Sequence, residues 1–317
     1  TQKMQPSAII SFEGKNKNHV VFIGAELPPY CKVGGVGTVM KDYTTFPCEK
    51  KGLAEIVGTG GDGKGSFNIS SLSALVAASC GAKMAKHGNK AVSSKSGAAD
   101  FYSALGININ TAPAKTAEVL AKTNFCFLMA PIYHSAMRFA APVRAALGIK
   151  TIMNCLGPLT NPAGAQYQML GVYSQELLEP IAKASKALGA KRVMVIASQD
   201  GFDEISPCAK TNAFLIDEDG SESRFVIDPE EFGVCGCDVE ELAGGTGMEN
   251  AQLAIDVMNN KGRNTIKMAV CLNAGAVLYV SKVVPSIKEG FELAKNALES
   301  GAVLKKLEEV KAASNAE

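Results

Sequence analysis

Residues 58–71, with the sequence GTGGDGKGSFNISS, decide the fold of this chain. Five of the first eight residues are glycine, so the backbone can adopt positive φ angles and turn its N–H groups toward an anion. An apolar run at residues 53–57 precedes the stretch, and a helical pattern at residues 70–80 follows it. A strand, a glycine turn and a helix start direct free backbone donors at phosphate. The stretch therefore predicts a phosphate-binding loop in an α/β fold.

The loop overlaps two known nucleotide-binding motifs but departs from each at one defining position. The spacing Gly58-x-Gly60-x-x-Gly63 fits the dinucleotide fingerprint, which also needs a carboxylate about 20 residues further on. Residues 64–99 contain no Asp or Glu. A P-loop also begins here, yet Gly65 stands where Ser or Thr would hold magnesium. Neither standard motif therefore explains the loop, and a flexible surface turn remains as the simple alternative.

The segment after the loop is basic, which favours an anion site over a surface turn. Its cationic residues are Lys64, Lys83, Lys86, His87, Lys90 and Lys95, whereas the whole chain has a net charge of only +1. Two groups of donors, residues 86–90 and 93–97, are dense enough to bind more than one phosphate group. A solvated basic face would mix Glu and Asp among its lysines.

Composition excludes several classes of function. The isoelectric point near 7.4 argues against binding nucleic acid through a broadly basic surface, so we expect a small-molecule partner. Nine cysteines, with only Cys235 and Cys237 close together, indicate reduced thiols, and three histidines make a zinc site a poor prediction. No apolar run is long enough for a membrane span, and residues 1–17 lack the apolar core of a secretory signal.

The order of predicted elements is that of an α/β domain. Strands are predicted at residues 53–57, 83–86, 125–129, 166–173 and 192–197, with a hairpin of residues 212–216 and 224–227. Helices are predicted at residues 70–80, 97–105, 116–123, 131–147 (interrupted near Pro142), 175–188, 249–259, 264–280, 287–299 and 303–312.

Five segments resemble the successive signatures of the anthranilate phosphoribosyltransferase family, in its order and spacing. They are residues 58–71, 85–100 (AKHGNKAVSSKSGAAD), 142–148 (PVRAALG), 151–164 (TIMNCLGPLTNPAG) and 201–206 (GFDEIS). The resemblance covers about residues 52–310. It implies a nucleoside phosphorylase/phosphoribosyltransferase-type α/β domain with a central sheet flanked by helices. It also implies transfer of 5-phosphoribosyl from phosphoribosyl pyrophosphate to anthranilate, with release of pyrophosphate, in tryptophan biosynthesis.

The resemblance further implies which residues bind the substrates. For phosphoribosyl pyrophosphate these are Gly58, Gly61, Asp62, Ser66, Asn68, Ile69, Ser70, Ser71, Lys86, His87, Gly88, Asn89, Lys90, Ala91, Val92, Ser93 and Ser94. For anthranilate they are Gly58, Asn89 and Arg144, with His87 as a further candidate; a planar guanidinium suits a carboxylate. Ala98 stands where the family usually has serine, and the missing hydrogen bond is worth about 1 kcal/mol.

Magnesium is the implied cofactor, and two ions are expected. Ser70, Asp203 and Glu204 would hold them, and adjacent carboxylates on an extended loop point apart, which suits two separate cations. As the anomeric bond stretches, negative charge builds on pyrophosphate, so cations and N–H donors there lower the barrier. No acid–base catalyst is assigned, because the amine of anthranilate is neutral at pH 7.

Residues 1–51 do not fit the resemblance. We expect the family's N-terminal helical domain, which carries the usual homodimer contact, to be missing or replaced, and residues 52–317 to form the phosphoribosyltransferase domain. Residues 18–43 instead resemble the opening strand and glycine loop of starch and glycogen synthases, with Lys32 at the sugar-nucleotide lysine and Thr38 in place of an aspartate. A strand with a loose glycine turn is the simpler interpretation. The expected compartment is the cytoplasm, or the plastid stroma if a transit peptide was removed.

Two alternative functions stay open at this point. A pyrimidine nucleoside phosphorylase shares the fold and a similar loop, but its phosphate motif is preceded by Lys-His-Ser, where this chain has Glu55-Ile56-Val57. A non-catalytic relative that binds nucleic acid would need a more basic surface than a net charge of +1 allows.

Overall fold

The computed structural model describes residues 46–60, 62–91, 95–134 and 152–316. The predictions made for residues 18–43, for the helix beyond residue 134, and for Gly61, Val92, Ser93, Ser94 and Arg144 lie outside these residues.

A seven-stranded sheet forms the centre of the described domain. Its strands are β1 (Leu53–Gly58), β2 (Lys83–Gly88), β3 (Phe125–Met129), β4 (Tyr167–Gly171), β5 (Arg192–Ser198), β6 (Thr211–Ile216) and β7 (Glu222–Ile227). Their order is β3-β2-β1-β4-β5-β6-β7. The first five strands are parallel, whereas β6 and β7 form an antiparallel hairpin that leaves β7 at the edge.

Helices cover the sheet. They are α1 (Ile69–Ser79), α2 (Ala98–Ala104), α3 (Pro113–Thr123), α4 (Ala130–Tyr133), α5 (Ile152–Leu159), α6 (Leu178–Ala187), α7 (Gly247–Met258), α8 (Asn264–Val280), α9 (Ile287–Glu299) and α10 (Ala302–Asn315). Short 3-10 helices occupy Gln175–Leu177, Pro229–Phe232 and Val239–Leu242. Helix α8 is buried on almost all sides. It packs closely against α9, as shown by Gly290 of α9, where an added Cβ would lie 2.4 Å from the carbonyl oxygen of Gly275 in α8.

The apolar core lies on both faces of the sheet. Met194 and Ile196 of β5 pack into one hydrophobic cluster with α1 and α8, and Val193 and Val195 of the same strand pack into another with α6. Alternate residues of a strand point to opposite faces, so this division shows that helices cover β5 on both sides. Such burial explains why residues 193–197 of β5 form a continuous apolar run.

The predicted fold class is confirmed, and the differences in helix ends have local causes. Helix α3 begins at Pro113 rather than at residue 116, because proline is well suited to the first helical position. Helix α7 begins at Gly247 because Thr246 and Glu249 form a capping box. Helix α5 was not predicted, because Gly157 and Pro158 within it are typical of a loop.

Residues 46–51 already pack against this domain. Phe46 is 8% exposed, and its ring lies edge-on to Tyr133 with the centroids 6.0 Å apart. The boundary near residue 52 stays a prediction, and among the described residues Phe46 already contacts the domain.

Candidate active site

The carboxyl ends of the parallel strands bring the sequence signatures to one edge of the sheet. The phosphate loop follows β1, the turn of residues 88–90 follows β2, and residues 199–206 follow β5. Gly58 pairs with Gly171 at the end of β4, and Gly171 in turn pairs with Ile196 of β5. Ligands of open α/β sheets bind beyond the carboxyl ends of the strands, so this edge is the candidate site.

The phosphate loop is held by its backbone. Gly60, Gly63 and Gly65 have φ angles of 64°, 74° and 62°, which favour glycine at these turns. The Thr59 N–H donates to the Gly171 carbonyl oxygen at 2.9 Å, and the Phe67 N–H donates to the Leu242 carbonyl oxygen at 2.8 Å. The loop is therefore anchored to β4 at one end and to the segment before α7 at the other.

Asp203 lies directly against the strand that leads into the loop. Its Oδ2 accepts a hydrogen bond from the Gly60 N–H at 2.6 Å. A Cβ added to Gly58 would lie 2.3 Å from that same oxygen, and a Cβ added to Gly171 would lie 1.5 Å from the Asp203 carbonyl oxygen. Gly58 is therefore needed because Asp203 is so close, whereas the sequence had suggested only backbone freedom.

Glu204 contacts a different part of the loop. Its Oε1 accepts a hydrogen bond from the Ser70 N–H at 2.9 Å, near the start of α1. Its buried Oε2 has no hydrogen-bond partner among the residues that the structure describes. The two adjacent carboxylates thus reach positions ten residues apart in the loop, as expected for side chains that diverge.

The electrostatics of this pair favour a cation. Burial, with the Asp62 charge adding, raises the pKa of Asp203 to about 7. Burial and the Asp203 charge raise the pKa of Glu204 well above its usual range. Within the described ranges, no three His, Cys, Asp or Glu side chains converge as a complete metal site. The donor set fits Mg²⁺, which takes one or two carboxylates together with substrate phosphates and water.

Lys86 brings a buried cation to the same region. It is 2% exposed, and its Nζ donates to the His87 carbonyl oxygen at 3.5 Å, which is a long bond. Burial lowers the pKa of Lys86, and the charges of Glu55, Glu204 and Asp203 oppose that shift. An ammonium group held in this way can meet a phosphate as a point charge.

Two histidines lie together at the end of β2. The rings of His87 and His134 are edge-on with centroids 4.8 Å apart, and both are buried. Burial lowers the pKa of His87 well below its usual range and that of His134 to about 4, so both rings are neutral at pH 7. Sequence patterns assigned no role to His134, because a histidine in a helical pattern carries no signal of such a contact.

Asp100 joins Ala91 and Gly97, which flank residues 92–96 of the basic segment. Its Oδ2 accepts hydrogen bonds from the Ala91 N–H at 2.8 Å and the Gly97 N–H at 2.9 Å. A Cβ added to Gly97 would lie 2.5 Å from the Asn89 carbonyl oxygen, so the base of this segment closes tightly. The sequence placed Asp100 in a signature but predicted no function for it.

The other predicted residues differ in what they offer a ligand. Ile69 and Ser71 have buried side chains, so they present only backbone groups. Asn89 and Lys90 are exposed, and the Asn89 side chain accepts from the Lys90 N–H at 2.8 Å. Asp62 accepts from the Lys64 N–H at 3.2 Å, which stiffens the glycine turn.

This chain matches the model of a known protein family over most of its length. The model of the glycosyl transferase family, a/b domain, matches residues 50–304. A protein from Brevibacillus brevis named anthranilate phosphoribosyltransferase is 46% identical over 266 residues, which are 84% of this chain and 77% of the relative. On this similarity the chain belongs to the anthranilate phosphoribosyltransferase family. Membership of this family favours a phosphoribosyltransferase over the nucleoside phosphorylase and over the non-catalytic nucleic-acid-binding relative.

Solved structures agree with this assignment. The anthranilate phosphoribosyltransferase from Thermus thermophilus superimposes with a TM-score of 0.83 at 40% identity, covering 90% of this chain and 84% of that one. The Saccharomyces cerevisiae enzyme, solved in complex with PRPP and Mg, gives a TM-score of 0.82 at 30% identity, covering 89% and 79%. As for membranes, none of the helices in the described part of this chain is long and apolar enough to span one.

Proposed function

We propose that this chain transfers the 5-phosphoribosyl group of phosphoribosyl pyrophosphate to the amine of anthranilate. The observation that carries the proposal is the contact of the Asp203–Glu204 pair with the phosphate loop, through the Gly60 and Ser70 N–H groups. Backbone donors for phosphate and carboxylates for a cation thus meet at the carboxyl edge of the sheet. A sugar diphosphate donor needs the backbone N–H groups for its phosphates and the carboxylates for the accompanying cation.

The chemistry requires stabilised charge more than a proton acceptor. The bond from C1 of the ribose to the pyrophosphate oxygen breaks, the bond to the anthranilate nitrogen forms, and negative charge develops on the leaving group. Loop N–H groups and the buried Lys86 ammonium would stabilise that charge. The attacking amine is neutral at pH 7, so none of the described residues is assigned as a general base.

Magnesium fits the donor set of this chain. Asp203, Glu204 and Ser70 would hold it, because a buried Glu204 oxygen lacks a hydrogen-bond partner within the described ranges and the pKa of both carboxyls is raised. We propose two ions, since the two carboxylates contact different parts of the loop. When bound, the metal neutralises charge on pyrophosphate.

Anthranilate would bind on the β2 side of the site. Gly58, Asn89 and Arg144 remain its proposed contacts, with Arg144 pairing to the carboxylate through its planar fork. His87 is neutral because burial lowers its pKa, so it would offer a hydrogen bond without adding charge.

The proposal is tested by following anthranilate fluorescence with purified protein, phosphoribosyl pyrophosphate and Mg²⁺. We expect consumption that requires both additions and releases one pyrophosphate per anthranilate. A parallel assay with uridine or thymidine and inorganic phosphate tests the phosphorylase alternative. Absence of anthranilate consumption, or phosphorolysis in its place, would contradict the proposal.

A further inference from the structure

A buried asparagine of α7 holds the side chain of the loop residue Asn68. Asn250 is 1% exposed, its Oδ1 accepts from the Gly245 N–H at 2.7 Å, and its Nδ2 donates to Asn68 Oδ1 at 2.7 Å. Asn250 is the fourth residue of α7, and a buried polar side chain there has to be satisfied by hydrogen bonds. The two residues are 182 positions apart in sequence, and the contact joins α7 to the phosphate loop.

The donors and acceptors fix the orientation of both amides. The Gly245 N–H can only donate, so Asn250 must turn its oxygen toward it and its NH₂ toward Asn68. An NH₂ group can only donate as well, so Asn68 must present its oxygen to Asn250. The NH₂ of Asn68 is thereby turned to the opposite side.

The side chain of Asn68 does not cap the helix that it precedes. Asn68 is the N-cap residue of α1, where an asparagine oxygen usually caps the first turn, yet its side chain makes no capping bond. Instead, its Oδ1 accepts a second hydrogen bond from Ser96 Oγ at 2.9 Å, which occupies both lone pairs. Among the described residues, its Nδ2 donates only a long bond of 3.5 Å, to the Ser96 carbonyl oxygen.

The segment that leads to Asn250 is itself bonded to the loop. Ser66 and Ala243 form an antiparallel bridge, and the Gly244 N–H donates to the Gly65 carbonyl oxygen at 2.9 Å. A Cβ added to Gly244 would lie 2.6 Å from the Ser66 carbonyl oxygen, so the two backbones are in direct contact. The support for Asn68 is therefore rigid.

We propose that Asn250 is a positioning residue that makes Asn68 present its NH₂ group, and not its oxygen, to the phosphate groups of the donor substrate. The inference rests on the proposed function for the identity of that substrate. Asn250 itself does not touch the ligand. It determines whether a donor or an acceptor of Asn68 faces an anion.

The test compares Asn250→Asp with Asn250→Ala. Aspartate has the same shape as asparagine and can still accept from the Gly245 N–H. Its second oxygen can only accept, so Asn68 must turn its NH₂ group toward residue 250. The Asn68 oxygen then points at the phosphate. We expect Kd for phosphoribosyl pyrophosphate, by calorimetry with Mg²⁺, to rise about 10-fold or more, as for a lost charge-assisted hydrogen bond. In Asn250→Ala the Asn68 amide can adopt either orientation, so the Kd of this variant for phosphoribosyl pyrophosphate should rise less. The KM for anthranilate should change by less than about twofold in both variants.

A control for destabilisation of α7 is Ala254→Gly, one turn further along the same buried helix face. Ala254 is fully buried, and glycine there should destabilise α7 by about 1 kcal/mol without touching Asn68. We expect a lower Tm and an unchanged Kd for phosphoribosyl pyrophosphate. In an Asn68→Ala background, Asn250→Asp should have little further effect on that Kd.

The outcomes separate this inference from the proposed function. An unchanged Kd in Asn250→Asp, or an equal rise in Ala254→Gly, overturns the positioning role whether or not anthranilate is consumed. A weakened Kd in Asn250→Asp with no turnover by the wild type supports the positioning role and overturns the transfer reaction. Failure of the wild type to bind phosphoribosyl pyrophosphate overturns both.

Discussion

At the scale of single residues, Asp203 and Glu204 are the most informative pair to change. Asp203→Asn or Glu204→Gln keeps the hydrogen bond to the loop backbone but weakens the donor set for a cation. We expect turnover to fall by about 100-fold, as for loss of one electrostatic stabiliser of a transition state, with partial recovery at raised Mg²⁺ or with Mn²⁺. Steady-state assays over a metal titration measure both effects.

The matched control for these carboxylates is Asp219→Asn, an exposed aspartate in the turn between β6 and β7. It should leave turnover unchanged. Full wild-type activity in excess EDTA, or in the double variant of Asp203 and Glu204, would show that pyrophosphate leaves without help from a metal.

His134 gives a prediction about pH and stability. Burial lowers its pKa from 6.5 to about 4, so the unfolded chain binds more protons between these values. The stability that neutral His134 contributes is complete above pH 6.5 and is lost as the pH falls toward 4. From pH 7 to pH 5 the loss should be about 2 kcal/mol.

Urea unfolding of wild type and His134→Gln at both pH values, in EDTA, checks this prediction. The free energy of unfolding should fall less in the variant than in the wild type, by roughly the amount stated, because glutamine does not titrate. Equal losses in the two proteins would show that His134 is protonated equally in the folded and unfolded states.

At the scale of elements, helix α8 anchors the loop that carries the two carboxylates. Asn273, which is 1% exposed, accepts from the Ile205 N–H at 3.0 Å and donates to the Ile205 carbonyl oxygen at 2.8 Å. Asn273→Ala leaves both backbone groups buried without these partners and should lower stability by about 2 to 3 kcal/mol. The loosened loop should also need more Mg²⁺ for half-maximal activity.

Urea unfolding and a Mg²⁺ titration test the Asn273 prediction. Asn259→Ala, at the exposed end of α7, is the control, because its side chain donates to the Ile255 carbonyl oxygen of the same helix, away from the carboxylate loop. A variant of Asn273 that is destabilised but shows an unchanged Mg²⁺ requirement would mean that α8 supports the fold and not the geometry of the loop.

The elements were more accessible to prediction than the site. Strands β3 and β5 contain continuous apolar runs, residues 125–129 and 193–197, so their positions follow from local sequence. The joining of Asn250 to Asn68 and of Asp100 to Ala91 depends on how helices and loops pack, and nothing local signals it. The same holds for Gly58, whose need for glycine arises from Asp203, 145 positions further on (203 − 58). The bond from the Gly97 N–H to Asp100 is different, because it is a capping-box contact between residues three positions apart.

At the scale of the whole molecule, the association of chains is open to test. The sequence predicts that residues 1–51 replace the family's N-terminal helices, and on that prediction we expect a weakened or altered dimer with apolar surface left open and a tendency to aggregate. Light scattering across a range of protein concentrations should show a mass that rises with concentration. A stable dimer at all concentrations would contradict the expectation.

The charged side chains of the edge strand β7 hinder the addition of a further strand at this edge of the sheet. Glu222 pairs with Lys183, and Arg224 pairs with Glu179, so charged side chains of this strand are tied to helix α6. A second chain that added itself as an eighth strand would have to crowd or break these ion pairs beside newly buried backbone. Charges on an edge strand discourage such pairing. The hairpin that forms this edge of the sheet therefore also disfavours extension into fibrous aggregates from this side.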